Sequence, residues 1–180
     1  MIDTERLRLR QWRETDLEPF LRETNTPAVM RWLGGVRTAV QVADTIHRLA
    51  TWQDERGFTF WAVERKEDRA LLGFCGLKIA DDEGCPVEGQ YEVGWRLRED
   101  AWGQGYAKEA AMASLDFAFH RLGAPRVVAL TVEGNSASSG LMERLGMVRR
   151  PDLDYDGPDW AEGMVIVYLI EKEQWRSPNS

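Results

Sequence analysis

Residues 98–119 read REDAWGQGYAKEAAMASLDFAF, with two glycines one residue apart at the mouth of a helical pattern. The first turn of a helix carries backbone N–H groups without intrahelical acceptors and a partial positive charge, so it draws an anion. Glycine lets the chain bend tightly and lets a ligand approach the backbone. Gly103, Gln104, Gly105, Tyr106 and Ala107 therefore form a candidate phosphate cradle; the plainer alternative is a strand-to-helix turn. Two better-known phosphate loops do not fit. A dinucleotide fingerprint needs a third glycine where Lys108 stands, and a Walker loop needs a Gly-Lys-Ser or Gly-Lys-Thr that the chain lacks.

The segments on either side give the loop its setting. EGQYEVGWRLR before it reads as a strand, and the helix runs from about Gly105 to Leu122, stopping at Gly123. PRVVALTVE then returns as a strand with a nearly continuous apolar run, as expected where both faces are covered. GNSASSGLMERLG makes a short helix, and GMVIVYLIEKEQW a last strand. Near the start, RLRLRQW alternates as a half-exposed strand, with Leu7 and Leu9 on one side and Arg8, Arg10 and Trp12 on the other. Thr15 is placed to cap the helix that follows, with Glu18 reaching back. Thr38 to Arg56 has apolar residues at helical spacing and Gly57 at the stop; FTFWAVER and ALLGFCGLKI then read as a hairpin turned at KEDR.

A chain of 180 residues, 43% apolar and with eight Trp, is expected to form a single domain over residues 1–180, with residues 175–180 frayed. The net charge of -7 argues against a nucleic-acid surface, which needs clustered Lys and Arg, yet suits a cationic acceptor. The N-terminus has no apolar signal core and no window approaches the roughly 18 apolar residues of a membrane span, so a soluble, cytoplasmic protein without membrane partners is expected. Cys75 and Cys85 match neither a zinc site nor a redox pair, and His47 and His120 each stand alone in helical patterns. No metal is expected.

Strand YEVGWRL, loop REDAWGQGYA, helix KEAAMASLDFAF, strand RVVALTVE and then NSASSGLMERLGM together resemble the GNAT superfamily of N-acetyltransferases. The glycine loop is similar to that family's Arg/Gln-x-x-Gly-x-Gly/Ala pyrophosphate loop. NSASSGLMERLGM resembles its Asn-x-x-Ser segment ending in Glu-Lys-Leu-Gly-Phe. The opening TERLRLRQW is similar to the branch that acetylates N-terminal amines of ribosomal proteins. The stretch from about Asn25 to Arg56, where the family's acceptor specificity usually lies, is matched least. Asp100 stands where the loop pattern has Arg or Gln, and Gly-Met replaces the closing Gly-Phe.

The resemblance implies a mixed α/β fold with a mostly antiparallel, splayed sheet of about six to seven strands flanked by helices. It implies direct transfer of an acetyl group from acetyl-coenzyme A to an amine acceptor, either a protein N-terminus or a small molecule; a homodimer is left open. The strand ending near Leu97 would lie along the pantetheine, the backbone of Gly103, Gln104, Gly105, Tyr106 and Ala107 around the pyrophosphate, and Asn135 and Ser138 against the cofactor. Glu92 is the candidate base, where some relatives carry a catalytic Glu. Many relatives protonate the leaving thiolate with a Tyr four residues after the family Ser; here that position is Met142, so Ser138 is the replacement and Ser139 its local rival. Trp12, Trp32, Trp52 and Trp61 are expected to pack the core or line an acceptor cleft. The altered positions 100 and 142 motivate the rival reading, a non-catalytic acyl-coenzyme A sensor.

Overall fold

The computed structural model describes the whole chain except residues 83, 160, 162 and 178–180. Its framework is one sheet. Strands β1 (Ile2–Asp3), β2 (Leu7–Arg10), β3 (Phe60–Arg65), β4 (Leu71–Ile79) and β5 (Tyr91–Leu97) lie side by side as an antiparallel meander. Next to β5 comes β6 (Arg126–Val132), then β9 (Met164–Glu171), which carries β7 (Val148–Arg149) and β8 (Tyr155–Asp156) on its other edge. The expected mixed fold with a largely antiparallel, splayed sheet is present. Among the described residues the sheet has nine strands instead of six to seven, because β1, β7 and β8 are two-residue pieces too short to register in a period-two pattern.

The departure from antiparallel order positions the site. β5 and β6 run parallel and pair only at Tyr91–Val127 and Glu92–Val128. Beyond those pairs β5 stays with β4 as far as Leu97, while β6 stays with β9 as far as Val132. The sheet therefore splits into a V with Glu92 at its apex. Helix α4 (Tyr106–His120) crosses from β5 to β6 on one face, where Leu115 and Phe119 pack with Trp61, Val63, Leu77 and Val93. Full burial of side chains this size contributes about 1.5–3 kcal/mol each. On the other face lie α1 (Leu17–Thr24), α2 (Pro27–Met30) and α3 (Ala39–Arg56), with Phe20 and Val42 against Ala62 and Leu71. Adjacent strand residues such as Trp61 and Ala62 thus serve opposite layers. Helix α5 (Ser136–Arg144) follows β6.

Several local expectations hold for the stated reasons. Thr38 accepts from the Gln41 N–H while the Gln41 side chain accepts from the Thr38 N–H, and Gly57 ends α3 at φ 77°. Others are corrected. Thr15 does not cap a helix: Glu14–Asp16 form a 3-10 turn, and the Asp16 carboxylate accepts from the Arg13 N–H at 2.8 Å. The first strand is exposed only in part. Arg8 pairs with Asp3 at a partly exposed surface, but Arg10 is buried, its guanidinium donating to both Asp16 oxygens at 2.7 and 2.9 Å and to Glu64 at 2.7 Å, so this half of the polar side belongs to an interior ion network. Trp175, expected to fray, is buried instead; its Nε1 donates to Asp116 at 2.6 Å and its ring lies 6.0 Å from Phe119. The end of the expected frayed tail, 178–180, lies outside the described residues. Among the described residues no helix is long and apolar enough to cross a membrane.

Candidate functional site

At the mouth of the V, Gly103 and Gly105 take left-handed conformations at φ 71° and 81°, and Gly105 is the N-cap of α4. The first bond onto the helix runs from the Glu109 N–H to the Gly105 carbonyl at 3.0 Å. Among the described residues, the N–H groups of Gly103, Gln104, Gly105, Tyr106, Ala107 and Lys108 have no protein acceptor. A Cβ placed on Gly103 would meet nothing within 4 Å, so open space borders this run of donors. Unpaired amides at a helix start, bent by two glycines, fit an anionic diphosphate.

Arg6, at the head of the RLRLRQW pattern and just before β2, reinforces the loop. It donates through Nη1 to the Gln104 carbonyl at 3.0 Å and through Nε to Glu109 at 2.7 Å, and its guanidinium covers the Tyr106 ring at 4.5 Å. Tyr106 is accordingly buried as packing at the helix start. Asp100 carries no free charge into the loop, because Arg98 grips its carboxylate through Nε and Nη2 and holds its pKa below the usual range.

Glu92 is 8% exposed, far from the solvated strand residue that alternation alone would allow. Its Oε2 lies 3.4 Å from Lys78 Nζ, and that oxygen accepts no hydrogen bond. Burial pushes the Glu92 pKa up to about 7; the Lys78 charge opposes the shift, and Asp82 adds to it. A carboxyl group poised near neutrality can take a proton and release it again.

The same strand face holds more unmet chemistry. Gln90, Glu92, Gly94 and Arg96 alternate along it, and Gln90 Oε1, Glu92 Oε2 and Arg96 Nε are all buried without partners. The Phe60 ring lies on Gly94, where a Cβ would come within 2.8 Å of it, and Phe60 stacks on Phe74 at 5.0 Å.

The remaining expected residues divide by their surroundings. Asn135 caps α5, its Oδ1 accepting from the Ser138 N–H at 3.3 Å and its Nδ2 donating to Thr131 at 3.0 Å. Ser138 sits partly exposed in the first turn of α5, and the Ser139 hydroxyl donates to the Ser136 carbonyl at 3.4 Å. Met142 is a core side chain. The Leu97 side chain is also core, and its carbonyl accepts from Trp102 Nε1 at 2.8 Å, so Leu97 offers the V backbone only. Trp12 packs on Phe20, Trp61 on Phe117, and Trp52 lies beside Arg48 and Arg56 on α3. Trp32 comes near the β6 side of the V, its ring 3.4 Å from a Cβ built on Gly134, and Trp12 Nε1 donates to the carbonyl of Phe60, the residue that lies on Gly94.

A family model described as "Acetyltransferase (GNAT) domain" matches residues 6–148. The Bacillus subtilis (strain 168) protein YkkB is 32% identical over 145 residues, spanning 80% of this chain and 83% of its own. The FsC-acetyl coenzyme A-N(2)-transacetylase of Aspergillus fumigatus is 36% identical over 88 residues, 47% of this chain and 37% of its own. A crystal structure of a GNAT-family acetyltransferase from Bacillus anthracis matches the fold with a TM-score of 0.79 at 24% identity, covering 96% of this chain and 98% of that one.

Proposed function

Since the chain belongs to the GNAT acetyltransferase family, we propose that it moves an acetyl group from acetyl-coenzyme A to a primary amine. The observation that carries this reading is the run of unpaired amides from Gly103 to Lys108 at the mouth of the V. When bound, the donor supplies an activated thioester. The amides of Gly103, Gln104, Gly105, Tyr106 and Ala107 hold its diphosphate, and the V between β5 and β6 admits its extended arm. Asn135 acts indirectly, by fixing the first turn of α5 on which Ser138 stands.

Glu92 at the apex takes the proton that the acceptor ammonium must lose. Its pKa of about 7 favours an α-amine, whose own value near 8 lies close by, over a lysine near 10.4 from which the transfer is steeply uphill. A protein N-terminal amine leads on that ground, with a small-molecule amine second. Ser138, partly exposed in the first turn of α5, relays a proton from solvent to the departing sulfur, directly or through water, taking one up as it gives one, in place of the Tyr that Met142 displaces.

Thermal unfolding with acetyl-coenzyme A, against NAD and ATP, tests the cradle. Ligand at about 100 times its dissociation constant adds about 2.7 kcal/mol, which raises the midpoint of a chain this size by about 5–10 °C. A shift with acetyl-coenzyme A alone supports the reading, and no shift at millimolar ligand removes it. Thiol release in the presence of an amine separates the transferase from the non-catalytic sensor. Ser138→Ala is expected to depress turnover about tenfold or more while keeping most of the acetyl-coenzyme A affinity. A loss confined to affinity would reduce Ser138 to a binding residue.

A further inference from the structure

Arg96 is a buried cation without an anion. It keeps 8% of its surface, its Nε has no acceptor, and among the described residues it forms no ion pair. Its Nη1 meets the sulfur of Met30 at 2.9 Å, and its guanidinium lies over the rings of Phe20 at 4.5 Å and Phe74 at 5.1 Å. A charge taken out of water without a counter-ion is costly, and stacking on two rings returns part of that cost at most. The charge whose field reaches it is a second cation, Arg37, from the segment after α2. Arg31 and Arg37 also lack ion pairs among the described residues, although carboxylates outnumber basic side chains in the chain as a whole, 30 to 23. The segment that covers this face of β5 has thus gathered positive charge and left it unneutralised.

Period-two geometry places Arg96 on the face of Glu92, four residues along, or about 13 Å between Cα atoms at the usual strand rise. Between them stands Gly94 under Phe60, which stacks on Phe74. The face therefore carries, in order, a carboxyl group with a buried, unpartnered oxygen, an apolar aromatic strip, and a guanidinium with a buried, unpartnered donor.

We propose that the acceptor is an amine that also carries a carboxylate: its nitrogen lies at Glu92, its carboxylate pairs with Arg96, and its middle crosses the Phe60–Phe74 strip. This rests on the acceptor side of the transferase reading and narrows it, since polyamines and aminoglycosides bring only cations to Arg96. A planar guanidinium takes a carboxylate through two parallel hydrogen bonds, which a point cation does not.

The test is a ligand-binding comparison on the full chain with coenzyme A present, so that it does not depend on turnover. The probes are ω-amino acids from glycine to 6-aminohexanoate and the dipeptide glycylglycine, each measured against its own amide or methyl ester by thermal unfolding and calorimetry. At least one free acid is expected to bind tenfold or more tightly than its neutral counterpart. Arg96→Met should abolish that difference without weakening the neutral counterpart, and should raise the unliganded midpoint by removing an unpaired buried charge. Arg96→Lys, which keeps the charge, should restore part of the discrimination and serves if the methionine variant fails to fold. Equal binding of acids and neutral counterparts, binding of neither, or full discrimination in Arg96→Met would each overturn the proposal. The transferase reading fails separately, through absence of acetyl-coenzyme A binding or of thiol release with any amine.

Discussion

Glu92→Gln is expected to lower kcat by about 10²- to 10³-fold and to remove the acid limb of the pH–rate profile. In the native protein that limb should lie near pH 7, where burial has brought this carboxyl group, and the amide in its place has no proton to release. Stability should move the other way. The folded pKa, about 7, lies above the unfolded reference of 4.5, so the folded state holds the proton more tightly. The stability this group contributes is complete below about pH 4.5 and is lost as pH rises through 7. Above pH 7 the native protein should therefore be less stable than Glu92→Gln, by an amount on the order of 3 kcal/mol. Urea unfolding at pH 5 and pH 8 measures the change in that gap. A gap independent of pH, together with an unchanged rate profile, would remove Glu92 from the mechanism.

Gly73→Ala should be the most damaging small substitution next to the site. Gly73 has φ 139°, beside the register shift at Val63–Glu64, and a Cβ there would lie 2.0 Å from the Arg96 carbonyl oxygen and 2.9 Å from the Leu97 Cα. Both obstacles are backbone, so no rotamer change relieves them; β4 and β5 must separate where β5 lines the V. Backbone strain and overpacking cost about 1–3 kcal/mol each, and together a loss of about 3 kcal/mol or more is expected by chemical denaturation. A loss below about 1 kcal/mol would show that β4 shifts freely against β5.

The features legible in the sequence were those whose chemistry is local. Thr38, Gln41 and Gly57 announce α3 because a cap is satisfied within one turn, and the Gly103–Gly105 loop announces itself because glycine is needed where φ is positive. The misread features depend on residues distant in the chain. Arg10 looks solvent-facing until Glu64, 54 residues on, closes its network. Arg6 reaches the loop only because β2 brings it beside Glu109. Asn135 matches a ligand pattern, yet its amide serves Thr131 and the Ser138 N–H, and capping and ligation draw on the same side-chain type. Arg96 passes in the sequence for the polar half of an ordinary alternation. The signal was available in Glu92-x-Gly94-x-Arg96, where one strand face carries two opposite charges and a gap.

The order in which the strands pair also bears on how the protein emerges during synthesis. Each neighbour in β1 to β5 is adjacent in sequence, so the first wall of the V can assemble as soon as Leu97 has been made. The second wall cannot, because β6 has only two pairs with β5 and takes the rest from β9, β7 and β8 pair with β9, and β9 is completed only at Glu171. Until then the free edge of β5 beyond Glu92 has no neighbouring wall, the kind of unpaired edge that invites pairing with another chain. The cleft is therefore the last part of the sheet to exist, and a ribosome that stalls before residue 171 leaves half a cleft with its sticky side open.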